Sequence, residues 1–263
     1  MKIFRQLIII VMFGLIACSQ QNDPNTIKVG TISGPETALV EVAKTVAKLK
    51  YDLNIKIVPF SDYILPNQAL ADGSIDANMF QHKPYLNKTI ASKKYNLTVI
   101  GKTFIYPMGL YSSKYKNLQD IPDDSIVALP NDPSNGSRAL LLIQKAGLIK
   151  LKDGGNSDSN IHSITFNPRN LVFKEIDAAQ LPRVLPDVAL AAINTNYAMQ
   201  ANLIPNRDAI FNEDQSSLYA NVVVVRTEDK DNEVFKKLMN ALHSDEVQQK
   251  AEELFKGQAI KAW

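Results

Sequence analysis

Apolar residues recur along this chain in two rhythms, and the rhythm switches at short, regular intervals. Ile27-Lys28-Val29-Gly30 predicts a short strand ended by glycine. Leu39, Val42, Ala43, Val46 and Leu49 then fall at the three-to-four spacing of one helix face, with lysines between them. Ile55, Ile57 and Pro59-Phe60 predict a second strand, and Gln68 to Ala71 a short helix stopped by Asp72-Gly73. Asp76 to Phe80 reads as a strand end opening into a loop, and residues 85–94 as a helix. Residues 99–101 and 104–106 are strand pieces ended by Pro107.

The same alternation follows in the second half. Ile126 to Leu129 is a strand, 130–136 a loop, and 137–146 a helix with Gly147 as its C-terminal cap. A polar loop at 152–160 precedes a strand at 171–176 and a short helix at 180–185 broken by Pro182 and Pro186. Residues 188–193 and 219–226 are strands almost without polar side chains, the second built on four consecutive valines, and two helices close the chain. Strands alternating with helices predict parallel sheets and an α/β fold. All-apolar strands fit sheets covered on both faces. Two such sets predict two lobes, with ligands bound beyond the carboxyl ends of the strands.

The first residues have a separate logic. Lys2 and Arg5 precede an apolar run from Leu7 to Leu15, then Ile16-Ala17-Cys18. The run is shorter than the roughly 20 apolar residues that span a bilayer. It predicts a lipoprotein signal peptide over 1–17, cut before Cys18, the single cysteine. An ordinary secretion signal with a chance cysteine is the alternative. A polar tether over 18–25 would then link the lipid to the fold, anchored in the cell envelope on the periplasmic side, or on the outer face of a single-membrane cell. With no cysteine left for a disulfide, the mature chain relies on its core. Residues 1–17 hold Lys2 and Arg5 and no acid, so their removal brings the net charge of +2 to zero. A neutral, mixed surface argues against a nucleic-acid partner, and a monomer is expected.

No glycine-rich phosphate loop and no G-x-S-x-G elbow is present, and His82, His162 and His243 lack a metal-binding partner at helical spacing. No cofactor or metal is expected, and an enzyme is the least favoured class. The acidic stretch 153–160 lacks the spacing of a calcium loop and reads as solvated. Five strand-end segments remain, at 61–63, 79–85, 130–138, 193–197 and 218–221, rich in aromatics and asparagines with one arginine. By pattern alone, Tyr63, Phe80 and Tyr85 are either core rings or site rings. His82 is either a structural histidine or a ligand contact, Arg138 a surface ion pair or an anion binder, and Asn194 and Asn221 turn caps or binders. Asp132 and Asn135 read as loop-shaping. Glu36 is a further candidate, although a helix dipole also favours an acid near that start.

Asp62-Tyr63-Ile64-Leu65-Pro66-Asn67, Ile75-Asp76-Ala77-Asn78-Met79-Phe80-Gln81-His82-Lys83-Pro84-Tyr85-Leu86, Pro130-Asn131-Asp132-Pro133 with Arg138-Ala139-Leu140-Leu141-Leu142, Gln180-Leu181-Pro182-Arg183, Ala192-Ile193-Asn194-Thr195-Asn196-Tyr197-Ala198 and the ending 259–263 resemble, in order, the MetQ/NlpA family. These are methionine-binding lipoproteins of ABC importers. The resemblance covers essentially the whole mature chain. It implies a two-lobed periplasmic-binding-protein fold of type II, with 26–106 and 222–263 as lobe 1, 107–221 as lobe 2, and L-methionine in the cleft. D-methionine or a methionine-containing dipeptide is the runner-up ligand, and a surface antigen or adhesin with a vestigial cleft the rival class. The implied partners are an ABC permease and its ATPase subunits. Carried over, Tyr63, Phe80, His82 and Tyr85 surround the ligand side chain, Arg138 holds the carboxylate, and Asn194 and Asn221 hold the amino-acid head. Ser137 stands where the family usually has a small residue, often glycine.

The chemistry of these residue types fits that implication. Arginine offers parallel donors to a carboxylate, and a first-turn position would add helix-terminal N–H groups. Asparagine supplies an acceptor for an ammonium without net charge. Aromatic rings suit a thioether, at roughly 0.3–1.5 kcal/mol per sulfur contact.

Overall fold

The structure, a computed structural model, describes residues 23–214 and 217–263. The leader, Cys18 and the first part of the tether lie outside the described residues. Asp23 to Asn25 already belong to the fold: the Asp23 carboxylate accepts from the Asn25 amide, Thr26 and Asn54, and the Asn54 amide donates to Asn25.

The first half runs β1 (Thr26–Ile32), α1 (Pro35–Tyr51), β2 (Asn54–Phe60), α2 (Leu65–Ala71), β3 (Ala77–His82), α3 (Lys83–Lys93) and β4 (Leu97–Ile105). There follow β5 (Gly109–Tyr111), β6 (Ile126–Pro130), α4 (Pro133–Lys145), β7 (Lys150–Leu151), β8 (Ile164–Phe166), β9 (Val172–Ile176), α5 (Leu181–Val184), β10 (Leu190–Ile193), α6 (Thr195–Gln200), α7 (Pro205–Asp208) and β11 (Ala209–Asn212). The chain ends with β12 (Ala220–Arg226), α8 (Glu233–Leu242), α9 (Asp245–Phe255) and β13 (Ile260–Lys261).

Two main sheets result, ordered β13-β4-β12-β3-β1-β2 and β11-β5-β10-β6-β9. Each has a parallel centre and antiparallel members where the chain passes between them. β1 pairs in parallel with β2 and β3, and β6 with β9 and β10. β12 runs antiparallel between β3 and β4, its Val222 to Val225 all buried. That explains the unbroken valine run, because both faces of the strand are covered. The chain crosses between the sheets after β4 and again before β12.

Helix α1 corrects the apolar stripe expected for it. Leu39, Val40, Ala43, Val46 and Ala47 are buried, whereas Leu49 is 80% exposed. The helix lies between β2 and the closing pair α8 and α9, which turns the buried face toward Val40 and Ala47.

Two expected loops are in fact regular structure. β3 continues through Gln81 and His82, fully buried along its length, and His82 then caps α3 by accepting the Tyr85 amide on Nδ1. α4 begins at Pro133, with the Asp132 carboxylate accepting the Asn135 amide as N-cap. Asp-Pro is a cap followed by a first helical position. Arg138 therefore sits in the second turn and not the first, so it is not flanked by the free N–H groups of the helix start. Gly147 follows α4 at φ +79°, as a C-terminal glycine should.

The topology brings four strand-to-helix junctions face to face: β1–α1, β3–α3, β6–α4 and β10–α6. β12 enters at the same level with Asn221. An apolar cluster joins the lobes there, with Ile32 and Phe80 from the first sheet against Ala128, Ala191 and Ile193 from the second and Tyr197 of α6.

Candidate functional site

The junctions enclose a narrow cavity of about 360 Å³, counting its mouth. Only about 20 Å³ of it is wide enough for the centre of a water molecule, so the walls stand close together. Tyr63, Phe80, His82, Tyr85, Arg138, Asn194 and Asn221 all line it. Gln81, Tyr106, Asn135, Thr195 and Asn196 complete the wall.

One side of the cavity is aromatic. The Tyr63 ring centre lies 5.9 Å from Phe80, 6.0 Å from Tyr85 and 4.8 Å from Tyr197. The Tyr85 hydroxyl donates to the Tyr63 carbonyl at 2.8 Å, which fixes the ring against its neighbour. Burial holds the phenol protons of Tyr63, Tyr85 and Tyr197 well above the usual tyrosine range, so this side stays uncharged.

The opposite side is polar and charged. Arg138 is 4% exposed and is not a bare cation. Its Nε reaches Glu213 Oε1 at 3.0 Å and Oε2 at 3.1 Å, and one Nη2 hydrogen also meets Glu213. The other donates to the Tyr106 carbonyl at 3.0 Å, and the guanidinium lies 4.2 Å over the Tyr219 ring. Three of its five donors are thus taken. The two on Nη1 meet no acceptor among the described residues, and they are what Arg138 can offer an anion. The Arg138–Glu213 pair leaves this wall near neutral, which matches a zwitterion better than a net anion.

His82 is bonded at both ring nitrogens. Nδ1 accepts from the Tyr85 amide, so Nε2 carries the proton and donates to Asn135 Oδ1 at 3.2 Å. Burial, with the nearby Arg138 charge, lowers its pKa to about 3 and keeps the ring neutral. Ring surface is therefore what His82 presents to a ligand. Asn135 is the hub of the wall. Its oxygen also accepts from Asn194 Nδ2 at 2.9 Å, and its nitrogen donates to both Asp132 oxygens, at 3.1 and 3.0 Å. The residue expected to shape a loop instead ties His82 to Asn194 across the cavity.

Behind the wall, the fully buried Glu36 accepts from Asn221 Nδ2 at 2.7 Å and Asn196 Nδ2 at 2.8 Å. Burial raises its pKa to about 8, and the two amide bonds oppose that rise. Tyr106 Oη, Asn194 Oδ1 and Asn196 Oδ1 are buried and meet no hydrogen-bond partner among the described residues. Unsatisfied acceptors in a cavity wall are costly unless a ligand donor reaches them. Ser137 keeps its place by donating its hydroxyl to the Ser134 carbonyl at 3.0 Å, a bond within the helix that leaves the Arg138 backbone helical.

Sequence reasoning missed Glu213 and Asn196 and gave Asn135 a lesser role. Glu213 lies in a polar run, Glu-Asp-Gln-Ser-Ser, that reads as solvent-facing. The faint signal was an acid just past a strand end. Asn196 was visible only as one more asparagine beside Asn194.

The NlpA lipoprotein model matches residues 27–263. D-methionine-binding lipoprotein MetQ of Escherichia coli (strain K12) is 50% identical over 252 residues, covering 95% of this chain and 93% of that protein. An ABC transporter periplasmic substrate-binding protein from Coxiella burnetii is 53% identical, with a TM-score of 0.88, covering 90% of this chain and 100% of that one. A nutrient-binding protein from Burkholderia cenocepacia, solved bound to methionine, is 48% identical, with a TM-score of 0.88 over 90% of this chain and 100% of that one. The chain belongs to the NlpA lipoprotein family, and its two sheets with their helices form the two-lobed α/β fold of periplasmic substrate-binding proteins.

Proposed function

We propose that this chain is a lipid-anchored substrate-binding protein that captures methionine between its lobes and delivers it to the permease of an ABC importer. One observation carries the reading: the cavity between the strand ends has a neutral aromatic side facing a polar side that offers Nη1 donors and bare carboxamide oxygens. A zwitterion with a thioether tail satisfies both sides at once. The Arg138 Nη1 donors take the carboxylate, Asn194 and Asn221 the ammonium, and Tyr63, Phe80, Tyr85 and the His82 ring the side chain.

The chain acts by binding and has no reaction of its own. Residues 26–106 with 222–263 and residues 107–221 serve as the two jaws, and the strand crossings between them as the hinge. Closure removes water from the cavity, which strengthens each polar contact made there. The Cys18 lipid holds the protein in the envelope at the periplasmic side of a membrane, as a monomer, where the closed form docks on a permease driven by separate ATPase subunits. Support for methionine comes from the E. coli relative's name and the methionine-bound Burkholderia structure.

Calorimetry on protein stripped of ligand by unfolding and refolding tests this. L-methionine should bind with a favourable heat, and leucine far more weakly, because the rings reward sulfur. Competition with D-methionine and a glycyl-methionine dipeptide ranks the related ligands. Arg138→Ala should weaken methionine by roughly 3–5 kcal/mol, since a ligand carboxylate would then be buried without its partner. A wild-type protein that ignores all four compounds would overturn the proposal.

A further inference from the structure

Glu36 is the one fully buried acid among the described residues, and no cation pairs with it there. It stands at the second position of α1, on the first-sheet side. One oxygen accepts from Asn221 on β12 and the other from Asn196 on α6, across the cleft. Both asparagines line the cavity. A buried acid without a counter-ion is costly to keep, so what it does for these two side chains needs an explanation.

A carboxamide has two nearly isosteric ends, one donor and one acceptor, and a half-turn exchanges them. A ligand ammonium needs the acceptor ends. Once ionised, Glu36 accepts and cannot donate, so each asparagine must then turn its nitrogen toward it and its oxygen away. The structure has both asparagines in that orientation, each Nδ2 on one Glu36 oxygen, and the Asn196 Oδ1 is bare and buried.

From this geometry we infer that Glu36 is a positioning residue that locks the Asn196 and Asn221 carboxamides with their oxygens toward the ligand and so makes the site demand a protonated amino group. Asn196 thereby becomes part of the ammonium subsite. The inference rests on the methionine reading of the cavity. Its electrostatics agree. Burial favours the protonated acid in the empty protein, and an ammonium beyond the two amides favours the carboxylate. The amides thus pass the ligand's charge to Glu36 with no direct contact. Glutamine cannot replace it, because a glutamine side chain carries its own donors and would let one asparagine flip.

The test compares L-methionine with 4-(methylthio)butanoate, the same molecule without its amino group, by calorimetry on the wild type, Glu36→Gln and Asn196→Leu. Hydrogen bonds to a charged group contribute about 1.5–3 kcal/mol. Glu36→Gln should therefore weaken methionine roughly 10- to 100-fold while leaving the deaminated compound nearly unchanged, so the preference for the amino group collapses. Asn196→Leu should shrink the same preference, and it answers the question if Glu36→Gln fails to fold. Equal weakening of both ligands would show a merely structural role and overturn the inference, as would an unchanged preference. A wild type that binds neither compound would instead overturn the methionine reading itself.

Discussion

Glu36 and His82 are buried on the same cavity and respond to pH in opposite directions. The folded-state pKa of Glu36 is raised from 4.5 to about 8 by burial, so the folded protein holds a proton that the unfolded chain releases. Its contribution is full below pH 4.5 and is lost as pH rises toward 8. His82 is lowered from 6.5 to about 3, by burial first and the Arg138 charge second. Its contribution is full above pH 6.5 and is lost as pH falls toward 3. Between about 4.5 and 6.5 the two slopes cancel, so ligand-free protein should be most stable there. Urea midpoints from pH 3.5 to 8.5 check this. Glu36→Gln should flatten the neutral-to-alkaline decline, and His82→Gln the acid one. A decline unchanged in both variants would assign it to other groups. At this scale the sequence showed residues that carry chemistry on their face, such as Arg138 between two prolines and an alanine-leucine run, or the rings flanking His82. It could not show their partners. Glu213 meets Arg138 across 75 positions and Glu36 meets Asn196 across 160, and no local pattern encodes a contact that only the closed fold creates.

The start of α4 shows what one cap can position. Asp132 accepts the Asn135 amide, and the Asn135 side chain then holds both His82 and Asn194. Asp132→Ala should cost about 0.5–2 kcal/mol of stability as a lost cap, roughly 2–4 °C in Tm per kcal/mol for a chain of this size. It should also weaken methionine, because Asn135 loses its anchor. Asp132→Asn keeps the cap acceptor and should keep most of the stability. Thermal melts and calorimetry on the pair separate the two effects, and equal Tm values for both variants would deny the carboxylate its capping role. The segment also shows why helix starts were harder to read than strands. Pro, Asn, Asp and Gly are turn formers in isolation, and the run 130–136 reads as a loop. Asp-Pro becomes a helix start only because buried Leu140 and Ile143 hold the following turns against the second core. The four valines of β12 carried no such ambiguity. Short pieces such as β5, β11 and β13 left no trace, since two to four residues make no period and exist only by pairing with a longer strand.

For the whole molecule, the question is how the closed form is held. The contacts that cross the cleft include His82–Asn135, Glu36–Asn196, the Arg138 bond to the Tyr106 carbonyl, the Tyr63–Tyr197 ring contact and the exposed Lys88–Asp158 pair. Exposed pairs are worth about 0–1 kcal/mol, so Asp158→Ala should barely change methionine affinity. A further contact is steric. Gly34, ahead of α1, has φ +107°, and a Cβ there would lie 2.9 Å from the Gln200 side chain at the end of α6. Opening the jaws separates α1 from α6 and removes that conflict, whereas the backbone strain of a residue other than glycine at φ +107° persists in both forms. Gly34→Ala should lower the stability of the fold by roughly 1–3 kcal/mol, the usual cost of a strained backbone, and weaken methionine only by what the Gln200 clash adds to the closed form. The loss should appear in the dissociation rate, because association begins from the open form. Small-angle scattering should show a smaller ligand-induced contraction than in the wild type, while circular dichroism stays unchanged. If Gly34→Ala releases methionine at the wild-type rate and contracts as fully, then the Gln200 side chain gives way freely, and closure is governed by the other contacts across the cleft.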